Sequence, residues 1–213
     1  LAETIIVVDS TLKFIHYENI QVAFGTCNTV LIKTQEKNIL VDPGHLSFRN
    51  ILKTKLAKLG LQPKDIDIVI NTHMHFDHFA NNYLFKQKPL YLHRKDLEYM
   101  ENNYWPEMTH AFISILHPYI IETDTAKIVD DVSIIATPGH TPGSISVVVH
   151  TKEGVTVIAG DAISTKMNYT EKKEPLYSIN REEALKSIEK IMGICPLIII
   201  PGHDKPFYTN YEH

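Results

Sequence analysis

The chain has 213 residues, 44% of them hydrophobic and 22% charged, the balance of an ordinary soluble protein with enough apolar material for a sizeable core. Its net charge is −4 and only Arg49, Arg94 and Arg181 among the 21 basic residues are arginine, which excludes a global attraction for nucleic acid or an anionic membrane. No apolar run approaches the ~18 residues of a membrane span, and two cysteines, Cys27 and Cys195, are too few for a disulfide framework and suit a reducing cytoplasm.

In chain order, the first 45 residues read as strands joined by short turns: Thr4–Val8, Ile20–Phe24, Thr29–Lys33 and Asn38–Val41, the first a strand rather than a signal peptide. The fourth ends in Asp42-Pro43-Gly44. Apolar residues at i, i+3, i+4 spacing predict a helix over Phe48–Leu59, stopped by Gly60. Ile66–Ile70 and Pro89–His93 read as buried strands. Residues 94–118 are helical in tendency and end before Pro118. Strands resume at Val132–Ala136, Ile145–His150 and Val155–Ala159, a helix follows at Arg181–Met192 with Asn180 as its N-cap, and Leu197–Ile200 closes the set. No repeat or linker interrupts this order, so one domain over 1–213 is expected, with two mixed sheets packed face to face and helices outside.

The sharpest motif follows the Ile66–Ile70 strand: Thr72-His73-Met74-His75-Phe76-Asp77-His78. Imidazole and carboxylate together suit zinc, iron or manganese. In an extended segment residues i and i+2 point the same way, so His73 and His75 can grip one ion together. A turn into a helix would swing Asp77 and His78 toward a neighbouring ion. His140, Asp161 and His203 each follow an apolar strand and a glycine, so each is aimed from a rigid strand end by an irregular turn. The remaining histidines read as surface or core residues.

The pattern HMHFDH, then GH, GD and GH, resembles the metallo-β-lactamase superfamily of metallohydrolases, over nearly the whole chain from Asn28 to His203. The resemblance implies a four-layer αβ/βα sandwich with metals at one edge. It implies that His73, His75 and His140 bind a first ion, that Asp77, His78 and His203 bind a second, and that Asp161 bridges them. Two divalent ions follow, zinc first, with iron or manganese as alternatives. A water between them would attack an ester, thioester or lactone of a small molecule, with Asp77 holding and shuttling the proton. Asp42, Thr72 and Thr137 are placed to hold ligand histidines from behind, or else to make plain turns.

Departures narrow the substrate. β-Lactamases carry Cys or Ser where this chain has Asp161. Hydroxyacylglutathione hydrolases have a C-terminal helical domain, whereas this sequence stops 10 residues after His203. Acyl-homoserine-lactone lactonases share the ligand spacing, but their tyrosine three positions after the bridging Asp is Ser164 here. A phosphodiesterase or nuclease is the enzyme alternative, disfavoured by the acidic balance, and a metal-binding protein without turnover is the other. The expected substrate wall combines Tyr99, Met100, Tyr104, Trp105, Met108 and Phe112 with Met167, Tyr169 and Tyr177; Met74 and Ser164 are further candidate contacts. Trp105, beside Pro106, would face a pocket or a homodimer contact.

Overall fold

Alternating apolar residues dictate the layering. In β4 (Thr29–Lys33) and β5 (Asn38–Val41) successive side chains point to opposite faces. Val30, Ile32, Ile39 and Val41 therefore enter one core cluster, and Leu31 and Leu40 another. A strand buried on both faces needs a layer on each side.

The computed structural model describes residues 1–17, 20–103 and 116–209, with only the backbone described at 12–17, 20–24, 103 and 117. One six-stranded sheet runs in the order β1-β4-β5-β6-β7-β8, and includes β1 (Glu3–Val8), β6 (Ile68–Ile70), β7 (Pro89–His93) and β8 (His117–Ile121). The second runs β14-β13-β12-β11-β10-β9, from β9 (Thr125–Val129) and β10 (Val132–Ala136) through β11 (Ile145–His150), β12 (Val155–Gly160) and β13 (Ile198–Pro201) to β14 (Phe207–Tyr208). A separate hairpin joins β2 (Thr11–Tyr17) to β3 (Ile20–Thr26).

Three cores separate four layers. Val30, Ile39 and Ile70 of the first sheet meet Ile134, Val147 and Ile158 of the second. On the outer face of the first sheet, Leu31, Leu40 and Leu92 pack against Leu52 and Leu56 of α1 (Arg49–Lys58) and Leu97 and Met100 of α3 (Arg94–Asn103). On the outer face of the second, Val148, Val157 and Ile199 pack against Ile188 and Ile191 of α5 (Arg181–Gly193). The four-layer αβ/βα sandwich of two mixed sheets with outer helices is thus the observed architecture. Two short helices, α2 (Phe76–Phe79) and α4 (Lys166–Thr170), flank the strand ends.

Most expected elements fall within a residue or two of the observed ones. The Asn180 side chain accepts the Glu183 N–H at 3.2 Å, capping α5. Three differences have physical causes. The helix expected over residues 94–118 is α3 as far as Asn103, residues 104–115 lie outside the described residues, and His117 and Pro118 enter β8 instead; Pro118 is tolerated because, among the described residues, β8 is an edge strand paired only with β7. Strands β2 and β9 lacked a long apolar run and form as partners in antiparallel pairs with β3 and β10. Strand β14 has two residues, Phe207 and Tyr208, too few to show a period. Among the described residues no helix is long and apolar enough to cross a membrane.

Candidate metal centre

Strands β5, β6, β10, β12 and β13 run in the directions that bring their C-terminal ends to one rim of the sandwich. The segments leaving those ends carry Asp42, then His73 to His78, His140, Asp161 and His203. The turn before Asp161 demands glycine. Gly160 has φ +52, and a Cβ there would lie 2.5 Å from Thr72 Oγ1, so only a residue without a side chain lets the two sheets close at this point.

The donor atoms converge in two groups. Those of His73, His75 and His140 lie within 4.8 Å of one another, as do those of Asp77, His78 and His203. His140 Nε2 is 3.0 Å from His75 Nδ1, and His203 Nε2 is 3.2 Å from Asp77 Oδ2 and 3.4 Å from His78 Nε2. Asp161 stands between the groups, with Oδ2 3.4 Å from both His140 Nε2 and His203 Nε2 and Oδ1 3.7 Å from His78 Nε2. His73 Nε2 and Asp161 Oδ1 are buried and make no hydrogen bond among the described residues, a costly state for polar atoms unless something else satisfies them. Five imidazoles and two carboxylates converging on one spot, with orphaned donors among them, fit divalent cations of the zinc type.

The electrostatics divide along the same line. Burial lowers His73 well below its ordinary value, takes His75 down to about 4 and lowers His140, so all three are neutral, as ligands must be. Burial opposes charge on the rest, but opposite charges win. The positive His78 and His203 take Asp77 down to about 2, and His203, His78 and His140 hold Asp161 well below the carboxylate range. His203 rises to about 9 against burial because Asp161 and Asp77 face it. His78 also rises against burial, with Cys27, Asp77 and Asp42 around it. Burial pushes the Cys27 thiol up to about 12; a thiol that high is uncharged at neutral pH, so the two carboxylates carry the effect on His78.

Behind the donors, Asp42 is 2% exposed and makes three bonds. It accepts the Thr72 N–H at 2.8 Å and the Thr72 hydroxyl at 2.6 Å, and lies 2.9 Å from His78 Nδ1. Its φ of +49 places this non-glycine residue in the left-handed region. The Thr72 hydroxyl also lies 3.1 Å from His73 Nδ1. Thr137 points elsewhere: its hydroxyl pairs with Ser146 at 2.9 Å and serves the strand end rather than a histidine.

A cavity of about 550 Å³ opens beside the cluster, lined by His75, Asp77, His140, Asp161 and His203 on one side and by Phe76, Ser164, Met167, Leu176 and Tyr177 among its other walls. Ser164, Met167 and Tyr177, expected at the substrate wall, line this cavity. Met74 is not: its side chain lies in the core under the first sheet, because alternation that turns His73 and His75 toward the rim turns Met74 away. Tyr99, Met100 and Tyr169 likewise pack on cores, Tyr169 against Phe207 with ring centroids 5.6 Å apart. Tyr104, Trp105, Met108 and Phe112 lie outside the described residues. The sequence reasoning missed Phe76, Leu176 and Lys173 in the cavity wall. Phe76 had a signal, being inside the ligand motif; Leu176 and Lys173 lie in an irregular segment with no period to read.

Residues 22–203 match the profile of the metallo-beta-lactamase superfamily. The chain belongs to that superfamily. It is similar to a probable metallo-hydrolase (MJ0296) of Methanocaldococcus jannaschii, with 34% identity covering 81% of this chain and 73% of the relative. It is also similar to an N-acyl homoserine lactonase of Bacillus cereus, with 30% identity covering 82% and 79%. A solved structure of a putative metallo-beta-lactamase from Thermotoga maritima shares the fold with a TM-score of 0.78, 25% identity and coverage of 97% and 99%. This superfamily membership makes the chain a hydrolase-family protein, consistent with the donor cluster at its sheet rim.

Proposed function

We propose that the chain is a dinuclear metal-dependent hydrolase of an ester, thioester or lactone bond in a small molecule. The position of Asp161 carries this reading: one carboxylate stands 3.4 Å from a histidine of each donor group. His73, His75 and His140 would hold one divalent ion, Asp77, His78 and His203 the other, with Asp161 shared; zinc suits the donors best, and iron or manganese would also fit. When bound, two such ions lower the pKa of water and polarise a carbonyl oxygen.

The chain's own residues do the rest. Asp77 is ionised and lines the cavity, so its carboxylate is placed to take a proton and later give it to the leaving oxygen or sulfur. Asp42 holds His78 in one orientation through Nδ1, leaving Nε2 turned to the cluster. The cavity volume lies within the range of about 300–1,000 Å³ typical of small-molecule sites. Phe76, Met167 and Leu176 make part of its wall apolar, and the Glu174 charge is neutralised by Arg181 Nε at 3.0 Å. A substrate with an apolar part beside the scissile group suits such a wall. The lactonase among the relatives supports the lactone end of the range.

The test is a panel of esters, thioesters, lactones and phosphodiesters, each offered to zinc-loaded and to chelator-stripped protein. Turnover of a carboxylic ester, thioester or lactone that disappears on stripping is the expected result. Cleavage confined to phosphodiesters would move the activity to the nuclease class, and no turnover with the metal fully loaded would leave a binding protein.

A further inference from the structure

Asp96 lies in the first turn of α3 and is 1% exposed. Its carboxylate serves the ligand segment: Oδ2 accepts the Met74 N–H at 2.5 Å. Met74 separates His73 from His75, and with its side chain committed to the core this N–H is a handle on both histidines at once. The same carboxylate faces the Thr141 hydroxyl and the Gly143 N–H, in the turn that follows His140, although Oδ1 completes no full hydrogen bond. The two backbones touch there: a Cβ on Gly143 would collide with Asp96 N and lie 2.5 Å from Asp96 Cβ. Asp96 therefore stands where the 73–75 segment, the 140–143 turn and α3 meet. Burying a carboxylate with one oxygen incompletely bonded lowers stability, a cost that a packing role alone does not explain.

We infer that Asp96 is a positioning residue for the His73, His75 and His140 group, fixing the spacing of the three imidazoles through Met74 and the 140–143 turn. The inference rests on the dinuclear reading above, since it needs an ion for those imidazoles to hold. Partners of this kind change metal affinity by about 10- to 100-fold when removed.

The experiment titrates metal-free wild type, Asp96→Ala, Asp96→Ser and Asp96→Asn with Co²⁺, reading the visible absorption band and the affinity against a competing chelator. Alanine removes the acceptor, and the serine hydroxyl is too short to reach Met74. Both are expected to bind Co²⁺ at least about tenfold more weakly at one of two sites, with an altered band. Asp96→Asn keeps an acceptor for the Met74 N–H but sets its amide nitrogen against the Gly143 N–H, and is expected to bind Co²⁺ more tightly than the alanine variant, with a band closer to wild type. Wild-type affinity and band in Asp96→Ala and Asp96→Ser, whatever their thermal stability, would overturn the inference while leaving the dinuclear reading intact. Failure of both to fold, or an asparagine variant no better than alanine, would assign Asp96 to folding and equally overturn it. A wild type that takes up no Co²⁺ would instead defeat the dinuclear reading, and this inference with it.

Discussion

Replacing Asp42 by alanine removes one side chain and strands three partners. The Thr72 N–H, the Thr72 hydroxyl and His78 Nδ1 all meet its carboxylate within 2.9 Å, inside a site where Asp42 is 2% exposed. Each bond to a charged acceptor is worth about 1.5–3 kcal/mol. The three share one carboxylate and do not add; removing one partner of a buried charged pair costs about 3–5 kcal/mol. Alanine in the left-handed backbone at φ +49 loses roughly 1 kcal/mol more, whereas asparagine tolerates that region. Asp42→Ala should thus lose about 4–6 kcal/mol, a large share of the ~5–15 kcal/mol of a typical domain. Asp42→Asn keeps an acceptor for the Thr72 N–H and the tolerated backbone, and should lose about half as much. Urea unfolding of the metal-free proteins, followed by circular dichroism, measures both. An Asp42→Ala variant within about 0.5 kcal/mol of wild type would behave as a surface substitution and refute the assignment of Asp42 as the anchor of the rim.

Other outcomes follow from the same geometry. His75→Ala and Asp77→Ala should each lower turnover by about 100-fold or more while the metal-free fold persists by circular dichroism; activity surviving either change would show the mechanism to be wrong. Burial pushes the Asp96 carboxyl up to about 6 from 3.8. The folded state then holds that proton more tightly than the unfolded state, so this contribution to stability is full below about pH 4 and is lost as pH rises through about 6. Asparagine does not titrate, so the metal-free stability of Asp96→Asn relative to wild type should shift in the variant's favour by about 2–3 kcal/mol between pH 4 and 7. A flat difference in parallel urea titrations would contradict it. Leu176→Asp puts a charge on the apolar cavity wall and should raise KM about tenfold for a long-chain substrate but little for a short one; equal effects on both would place the apolar part of the substrate elsewhere.

The sheets were legible because most of their strands are short apolar runs, and β4, β5 and β11 are buried on both faces. The donor residues were legible because their chemistry is concentrated in sequence, with His73 to His78 in one segment and His140, Asp161 and His203 each beside a glycine. Of the supporting residues, Asp42 and Thr72 were legible at the ends of their strands and lie against His78 and His73, but Asp96 was not. A lone acid at the start of an amphipathic helix reads the same whether it complements the helix dipole or, as Asp96 does, reaches back to residue 74. Thr137 shows the converse: its place beside a histidine turn suggested a role toward the ligands, and only the register of β10 against β11 reveals Ser146 as its partner. Met74 was a misapplied rule, since the alternation that selects His73 and His75 already assigns Met74 to the core. Cavity walls depend on contacts between segments far apart in sequence, which no local period encodes, so Leu176 escaped notice.

The proposal stands or falls on whether the donor cluster at the sheet rim holds two ions. The most direct measurement of it is the metal content of the zinc-reconstituted protein, wild type beside His203→Ala, by elemental analysis against protein concentration. The account predicts two ions per chain in the wild type and one in the variant, whose His73, His75 and His140 group is untouched. A wild type that saturates at one ion or none would contradict it.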